Sequence, residues 1–428
     1  MKFLVLFIGF ILFYGLSFMK KKGISFGIRV ISGAILGIIL GFLFKDSTEY
    51  IGVFGRIYAN LLFALVIPIL LASVIKIVIS TENLANLRSM GLKTIGVLSL
   101  HNVLGSLIGV VLAVLFKIGK NANIPIETSN EVKEVPGFAD AFVNFFPKNI
   151  VADASKGSVI PIIVFAVLIG LSVLQLIERG KDKEVKPFVD FIESFSEIIF
   201  RLIGFVTDFT PYAVLSLLAS SIGRIDYSAV KPLLFILILT YIASVFHSYI
   251  TTGAMIGIIG KLNPFKFFKK NWPVQAIGFT TQSSVGSIGA NIENLTKNMG
   301  VSEKVASFVA PMGATMGMPG CAGFWPVMSA LLTVNVLRIN YSISDYIMLV
   351  FVALLVSLGT VGVPGTATIT TTAVFAAMGL PIEMVVILSP ISSLADMGRT
   401  ATNVTAAASS ALIVASSENE IDRSIYNN

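Results

Sequence analysis

Gly359-Thr360-Val361-Gly362-Val363-Pro364-Gly365-Thr366 interrupts an apolar stretch that otherwise runs from about 346 to 378. Glycine and proline this dense cannot carry a helix through. Irregular backbone cannot face lipid either, because its unpaired N–H and C=O groups would each cost several kcal/mol. It must be buried in protein or line a wet cavity. A second interruption, Thr280-Thr281-Gln282-Ser283-Ser284-Val285-Gly286-Ser287, follows Trp272. One such segment reads equally well as small residues that let helices pack closely. Two in matched positions point instead to the paired broken segments that mark a transporter binding site.

The match extends beyond the interruptions. A displacement of 79 residues superposes Thr281 on Thr360, Gly286 on Gly365, Met299 on Met378, Gly300 on Gly379, Pro311 on Pro390 and Met318 on Met397. It reads as two copies of a re-entrant hairpin followed by a helix, entering from opposite sides. Such inverted repeats place a site near the membrane midplane.

The whole chain fits that reading. Of 428 residues, 55% are apolar and 13% charged, with a mean hydropathy of +0.87. Soluble domains carry about 25% charged residues, so the composition excludes a soluble enzyme and a disordered protein. Cys321 is the single cysteine, which excludes a disulfide scaffold. The net charge of +7 comes from short clusters between apolar runs and does not indicate nucleic-acid binding. About 20 apolar residues span a bilayer, and such runs occur near 3–19, 24–44, 57–79, 94–116, 157–177, 190–222, 232–260, 304–335, 346–378 and 382–415. The first is followed by Lys20, Lys21 and Lys22 without a small-residue cleavage site, and it reads as a retained span rather than a signal peptide. Arg88, Lys93, Arg179, Lys181, Lys183, Lys186 and the basic 261–270 segment then fall inside, and the mixed-charge insert at 117–156 outside.

The final run holds the most expensive residues. Between Glu383 and Glu418 the only charged side chains are Asp396 and Arg399, at i and i+3 on one helical face, with Thr400 and Asn403 beside them. Charge in mid-membrane costs at least ~2.5–3.5 kcal/mol and marks function. A self-neutralising structural pair is the alternative, but it leaves Asn403 and Thr400 without a reason. A carboxylate for an ammonium and a guanidinium for a carboxylate suit a zwitterion. In Gly313-Ala-Thr315-Met-Gly317-Met318-Pro319-Gly320-Cys321 the helix should unwind and free carbonyl oxygens, hard ligands for a cation; a packing kink is the plainer reading.

These residues resemble the dicarboxylate/amino acid:cation symporter family, the glutamate-transporter fold. The resemblance covers about 24–415. It is most specific in Asp396-Met-Gly-Arg399-Thr400-Ala-Thr-Asn403-Val-Thr, with the Gly-Val-Pro-Gly tip at 362–365 and Gly-Ala-Thr at 313–315 in support. It implies an all-α polytopic membrane protein with two re-entrant helical hairpins and inverted repeats. Residues 1–23 add an N-terminal transmembrane helix, 24–260 form mainly scaffold and oligomerisation spans, 261–415 form the transport core, and 416–428 are a cytoplasmic tail. The chain would sit in the cytoplasmic membrane as a homotrimer. Asp396 would hold the substrate amino group, and Asn403 and the backbone around Ser283 and Ser284 a carboxylate. Arg399 and Thr400 would read the remainder, with Thr315 beside them. Gly362, Val363, Pro364 and Gly365 would form the outer gate.

The departures from the family pattern bear on ion coupling. Where sodium-coupled relatives carry Asn and Asp in the unwound helix, this chain has Gly317 and Pro319. Where they have further aspartates on the last helix, it has Ser392 and Ala407. One largely carbonyl sodium site keeps Thr315, Met318, Ser357, Leu358 and Thr360, so sodium coupling through it and proton coupling both stay open. No other cofactor is expected. The motifs Thr-Thr-Gln282-Ser-Ser-Val-Gly and Gly-Ala-Thr-Met-Gly-Met-Pro-Gly-Cys-Ala-Gly-Phe-Trp-Pro resemble the bacterial L-cystine symporter branch. The resemblance thus implies a secondary active amino-acid importer working by an elevator movement. Glutamate, aspartate or small neutral amino acids are the next substrates, and an intramembrane enzyme using Asp396 the reading from another class.

Several signals are set aside. Lys76 is expected to snorkel, and Glu193, Glu197, Arg201 and Asp208 to form a wet polar face or a subunit contact. His101 and His247 are expected to be satisfied hydrogen-bonding residues rather than a proton relay. Cys321, without a basic neighbour in sequence, is not expected to be reactive. No phosphate loop or metal motif appears.

Overall fold

In the computed structural model all residues are described except 25, 80–86, 121, 123, 125–142, 144–145, 156–158, 225–226, 359, 361 and 363–364. The apolar runs fold as helices: α1 (Lys2–Lys21), α2 (Phe26–Phe44), α3 (Glu49–Ile79), α4 (Leu87–Leu115), a short α5 (Ile150–Ser155), α6 (Val159–Glu178), α7 (Asp182–Thr207) and α8 (Thr210–Arg224). The chain continues through α9 (Tyr227–Val245), a π-helical segment at Phe246–Thr251 and α10 (Thr252–Ile258). Then come α11 (Pro264–Thr281), α12 (Ile288–Lys297), α13 (Glu303–Gly313), a second π-helical segment at Pro319–Phe324, α14 (Trp325–Val336), α15 (Ile343–Ser357), α16 (Thr366–Ala377), α17 (Glu383–Glu418) and α18 (Arg423–Asn427). Lys2–Lys21, Met90–Leu115, Pro161–Glu178 and Lys231–Ile258 are unbroken and apolar enough to cross a bilayer.

The run at 190–222 is two helices, because the chain turns at Asp208-Phe209 between α7 and α8. The insert at 117–156 lies mostly outside the described residues. The extra N-terminal span is present as α1. Gly9 lets it approach α3 so closely that a Cβ there would meet Ile51 at 2.3 Å, and Lys20 pairs with Asp208 at 2.9 Å.

Both interruptions are hairpin tips between helical arms. The first hairpin is α11–tip–α12. Asn263 caps its start by accepting from the Phe265 amide at 2.9 Å, with Pro264 at the first helical position. Gln282 ends α11 in the left-handed region at φ 55°. The second hairpin is α15–tip–α16. Asp345 reaches back to the Ser342 amide at 2.7 Å to start it. Each hairpin's second arm is followed by a left-handed glycine, Gly300 at φ 71° and Gly379 at φ 67°. These are two of the positions that the 79-residue displacement pairs. The repeat is therefore visible in backbone conformation.

α17 is the central element. Every residue from Gly398 to Ala415 is buried within the protein, so its polar residues face protein rather than lipid. Two of its hydroxyls bond to the preceding turn: Thr402 to the Gly398 carbonyl at 2.9 Å, Thr405 to Ala401 at 2.8 Å. That satisfies them without water.

Candidate substrate site

α13 ends at Gly313 and the chain stays irregular until the π segment begins at Pro319. The cause is local: Gly317 adopts φ 63°, and a Cβ there would lie 2.6 Å from the Leu98 Cβ of α4. Pro319 then contributes no amide hydrogen. The π segment packs hard against α17, where a Cβ on Gly320 would sit 2.5 Å from the Arg399 carbonyl oxygen. This close approach places Cys321 between the two polar turns of α17.

All four predicted α17 residues are buried together: Asp396 is 3% exposed, Arg399 1%, Thr400 2% and Asn403 1%. Three groups converge on Asp396 Oδ1. Arg399 Nη2 lies 3.3 Å away, Thr400 Oγ1 3.4 Å and Cys321 Sγ 3.5 Å. The Gly365 amide of the second hairpin tip also donates to this carboxylate. Arg399 is positioned by two groups that the sequence had not linked to it. Ser392, one helical repeat earlier, accepts at its hydroxyl from Nη1 at 3.2 Å and from Nη2 at 3.1 Å, and its carbonyl accepts from Nη2. The guanidinium lies 4.4 Å from the Trp325 ring centroid, a cation–π arrangement. Arg399 Nε is buried without a partner. Asn403 accepts from the Gly320 amide at 2.8 Å and donates to Cys321 Sγ at 3.1 Å.

The hairpin tips meet over this cluster. The Val285 amide donates to the Gly362 carbonyl at 3.0 Å, and the Gly362 amide donates to the Ala314 carbonyl at 2.8 Å. Gly362 is obligatory here, since a Cβ would stand 2.4 Å from the Ser284 Cβ and 2.6 Å from the Ala314 oxygen. Ser283 Oγ accepts from Gly286 at 3.0 Å and reaches the Gly362 carbonyl at 3.5 Å. Val363 and Pro364 lie outside the described residues.

The candidate sodium residues are partly assembled. The Ser357 carbonyl accepts from both the Gly317 amide and Thr360 Oγ1, each at 3.1 Å, which brings Ser357, Thr360 and the neighbour of Met318 together. Leu358 closes the end of α15 through its amide to Leu355 at 3.2 Å. Thr315 turns its hydroxyl to its own helix, 3.1 Å from both the Pro311 and Met312 carbonyls. Ala407 faces Gly313, where a Cβ would already be 2.5 Å from the Ala407 methyl. Among the described residues no group of three or more His, Cys, Asp or Glu could hold a metal ion.

Sequence reasoning missed Cys321, Trp325, Thr370 and Ser392 as parts of this cluster. Thr370 of the second hairpin donates to the Cys321 carbonyl at 2.5 Å. Cys321 and Trp325 could have been found, because both flank the segment predicted to unwind. Ser392 lies seven residues before Arg399 on the same face. Thr370 had no signal.

The all-helical fold with two hairpins is the architecture the sequence resemblance implied, and comparison with known proteins gives the family. The sodium:dicarboxylate symporter family pattern matches residues 26–417. The chain belongs to this family. It is a polytopic membrane transporter and not an enzyme. The symporter is 29% identical over 440 residues to the L-cystine uptake protein TcyP of Bacillus cereus, covering 96% of this chain and 94% of the relative. It is 29% identical over 432 residues to an uncharacterized symporter of Haemophilus influenzae, covering 94% and 96%. It is 28% identical over 415 residues to the proton/sodium-glutamate symport protein of Geobacillus stearothermophilus, again covering 94% and 96%. Sodium as a coupling ion accords with this membership.

Proposed function

We propose that this symporter imports L-cystine, driven by a sodium or proton gradient. The observation that carries the reading is the buried Asp396–Arg399 pair at 3.3 Å under the joined tips. Asp396 would receive an ammonium in place of its present donors. Arg399, with an unpartnered Nε, would offer its remaining donors to a carboxylate. Asn403, Thr400 and the tip amides near Ser283 and Ser284 would take the other polar groups, with Thr315 at the rim. The similarity to an L-cystine uptake protein supports the choice of substrate. Gly362, Val363, Pro364 and Gly365 would open as the outer gate. Sodium, as cargo, would take Thr315, Met318, Ser357, Leu358 and Thr360, the carbonyl oxygens supplying the hard ligands.

Residues 261–415, with part of 24–260, would travel as the transport core past a scaffold of the remaining spans, in a homotrimer of the cytoplasmic membrane with 416–428 inside. The test is counterflow in proteoliposomes preloaded with cystine, with external cystine, glutamate, serine and succinate competing. Cystine should compete best. Competition led by glutamate or serine would replace the substrate, and competition led by succinate would refute the ammonium role of Asp396.

A further inference from the structure

His101 and His247, each predicted to be singly satisfied in its own span, are bonded to each other. His101 on α4 and His247 in the first π segment are both fully buried, with Nδ1 of His101 3.1 Å from Nε2 of His247. On its far side His101 Nε2 lies 3.0 Å from Ser409 Oγ of α17, and Ser409 donates to the Ala406 carbonyl at 3.0 Å. This last bond sets the direction of the chain. With the Ser409 hydrogen given to Ala406, its oxygen accepts from His101 Nε2–H. His101 Nδ1 then accepts from His247 Nε2–H. Neutral His247 is left with a bare lone pair on Nδ1, and that atom is buried without a partner. Reversing the chain gives up the Ser409–Ala406 bond and leaves Nδ1–H of His247 without an acceptor. In the first arrangement Nδ1 of His247 is the one basic nitrogen of the chain left open to take a proton from outside.

We infer that His101, His247 and Ser409 form a proton-binding site, loaded at Nδ1 of His247, that couples substrate uptake to a proton gradient. The step is an association: the Nδ1 lone pair takes a proton from water, and the imidazolium keeps its Nε2–H bond to His101. The surroundings agree. π-helical turns inside α-helices occur frequently at functional sites. Beside the histidines, Asn102 and Thr252 also have buried polar atoms without protein partners, as a polar seam for proton entry requires. Charged groups on the packed helices stand well away. α4 carries Lys93, eight residues before His101, and α9 carries Lys231, sixteen before His247. On α17, Arg399 precedes Ser409 by ten residues, roughly 15 Å of helix, and Asp396 by thirteen, while Glu418 follows by nine. The titratable neighbours are Tyr241 and Tyr249, whose hydroxyls bond to the Leu394 carbonyl and to Gln275, and Cys321, engaged by Asp396 and Asn403. No described carboxylate competes for the proton at this spot.

This inference rests on the importer reading above, and the experiment separates the two. Proteoliposomes hold a trapped pH-sensitive dye in sodium-free buffer with the membrane potential clamped. External cystine should acidify the lumen. His247→Gln should lower that acidification at least tenfold while leaving cystine counterflow within about threefold, because exchange needs no net proton movement. His101→Gln should act in the same direction. Wild-type counterflow without acidification overturns the proposal, and so does a His247→Gln protein that still acidifies. If a variant fails to fold and shows no counterflow, the wild-type dye trace decides. If wild type exchanges glutamate or serine but not cystine, the substrate reading fails alone, and the dye measurement is decided with the accepted substrate.

Discussion

Val285 and Gly362, 77 residues apart, share a backbone hydrogen bond of 3.0 Å that ties the tip of one hairpin to the tip of the other. The same glycine donates to Ala314 at 2.8 Å. Three irregular segments thus satisfy one another in a region without lipid-compatible alternatives. In the gate role proposed for the tips, substrate enters when this junction parts.

Gly362→Ala should hold the junction apart, since the added methyl would stand 2.4 Å from the Ser284 Cβ. Counterflow should fall by tenfold or more, equivalent to about 1.4 kcal/mol or above. Crosslinking of Ser284→Cys to Thr366→Cys in a Cys321→Ala background should weaken in parallel. Unchanged counterflow would mean that the tips need not meet.

Asp396→Asn should separate stability from recognition. Removing one member of a buried ion pair costs ~3–5 kcal/mol when the other charge stays, although Ser392 and Trp325 retain part of the hold on Arg399. The expected outcome is a lower unfolding temperature in detergent and loss of amino-acid binding by calorimetry. Adding Arg399→Gln should recover most of the stability and none of the binding. Recovery of binding would show that the pair is structural.

Cys321 is 3% exposed and is the chain's single cysteine, so the wild-type protein already contains one buried thiol reporter. A small membrane-permeant thiol reagent should react slowly, and more slowly again with substrate present. Gly362→Ala should accelerate the reaction. Fast labelling indifferent to substrate would place Cys321 outside the site.

Asp422 gives a pH dependence with a defined sign. Its carboxylate accepts from the Ser424 hydroxyl at 2.6 Å and the Ser424 amide at 2.8 Å, bonds that hold it below the usual carboxylate range. A depressed folded-state value means the cap is intact above the ordinary range, ~3.9, and is lost as pH falls through the lower folded value. A nitroxide on Asn428→Cys, with Cys321→Ala, should be restrained at neutral pH and loosen under acid. Asp422→Asn should remove the step. A step that survives in Asp422→Asn would assign it to another group.

The sequence disclosed the architecture because the bilayer restricts its solutions: long apolar runs must be helices, and breaks within them must be covered. Asp396, Arg399, Thr400 and Asn403 were legible because charge and amide groups are rare in such a run. Ser392 and Thr370 were not, since hydroxyls in buried helices usually bond to their own preceding turn, and only the packing shows which reach further. His101 and His247 were legible singly but not as a pair, because 146 residues of chain separate them. The turn at Asp208-Phe209 did have a signal in Thr207-Asp208-Phe209-Thr210-Pro211, polar residues and a proline where a new helix starts, which reading 190–222 as one apolar run passed over.

The C-terminal residues are tied into the base of the first hairpin. Asp422 donates its amide to Gly300 at 2.7 Å, Ser302 donates to Glu420 at 2.9 Å, and Lys270 reaches the Ile425 carbonyl at 2.7 Å. In synthesis order the hairpin is made well before the strap that fastens it. Until residues 420–425 leave the ribosome, these three bonds at its base cannot form. A stop codon or a bulky fusion placed there therefore acts on a segment more than a hundred residues upstream, and a tag appended directly to Asn428 tests assembly as much as it reports expression.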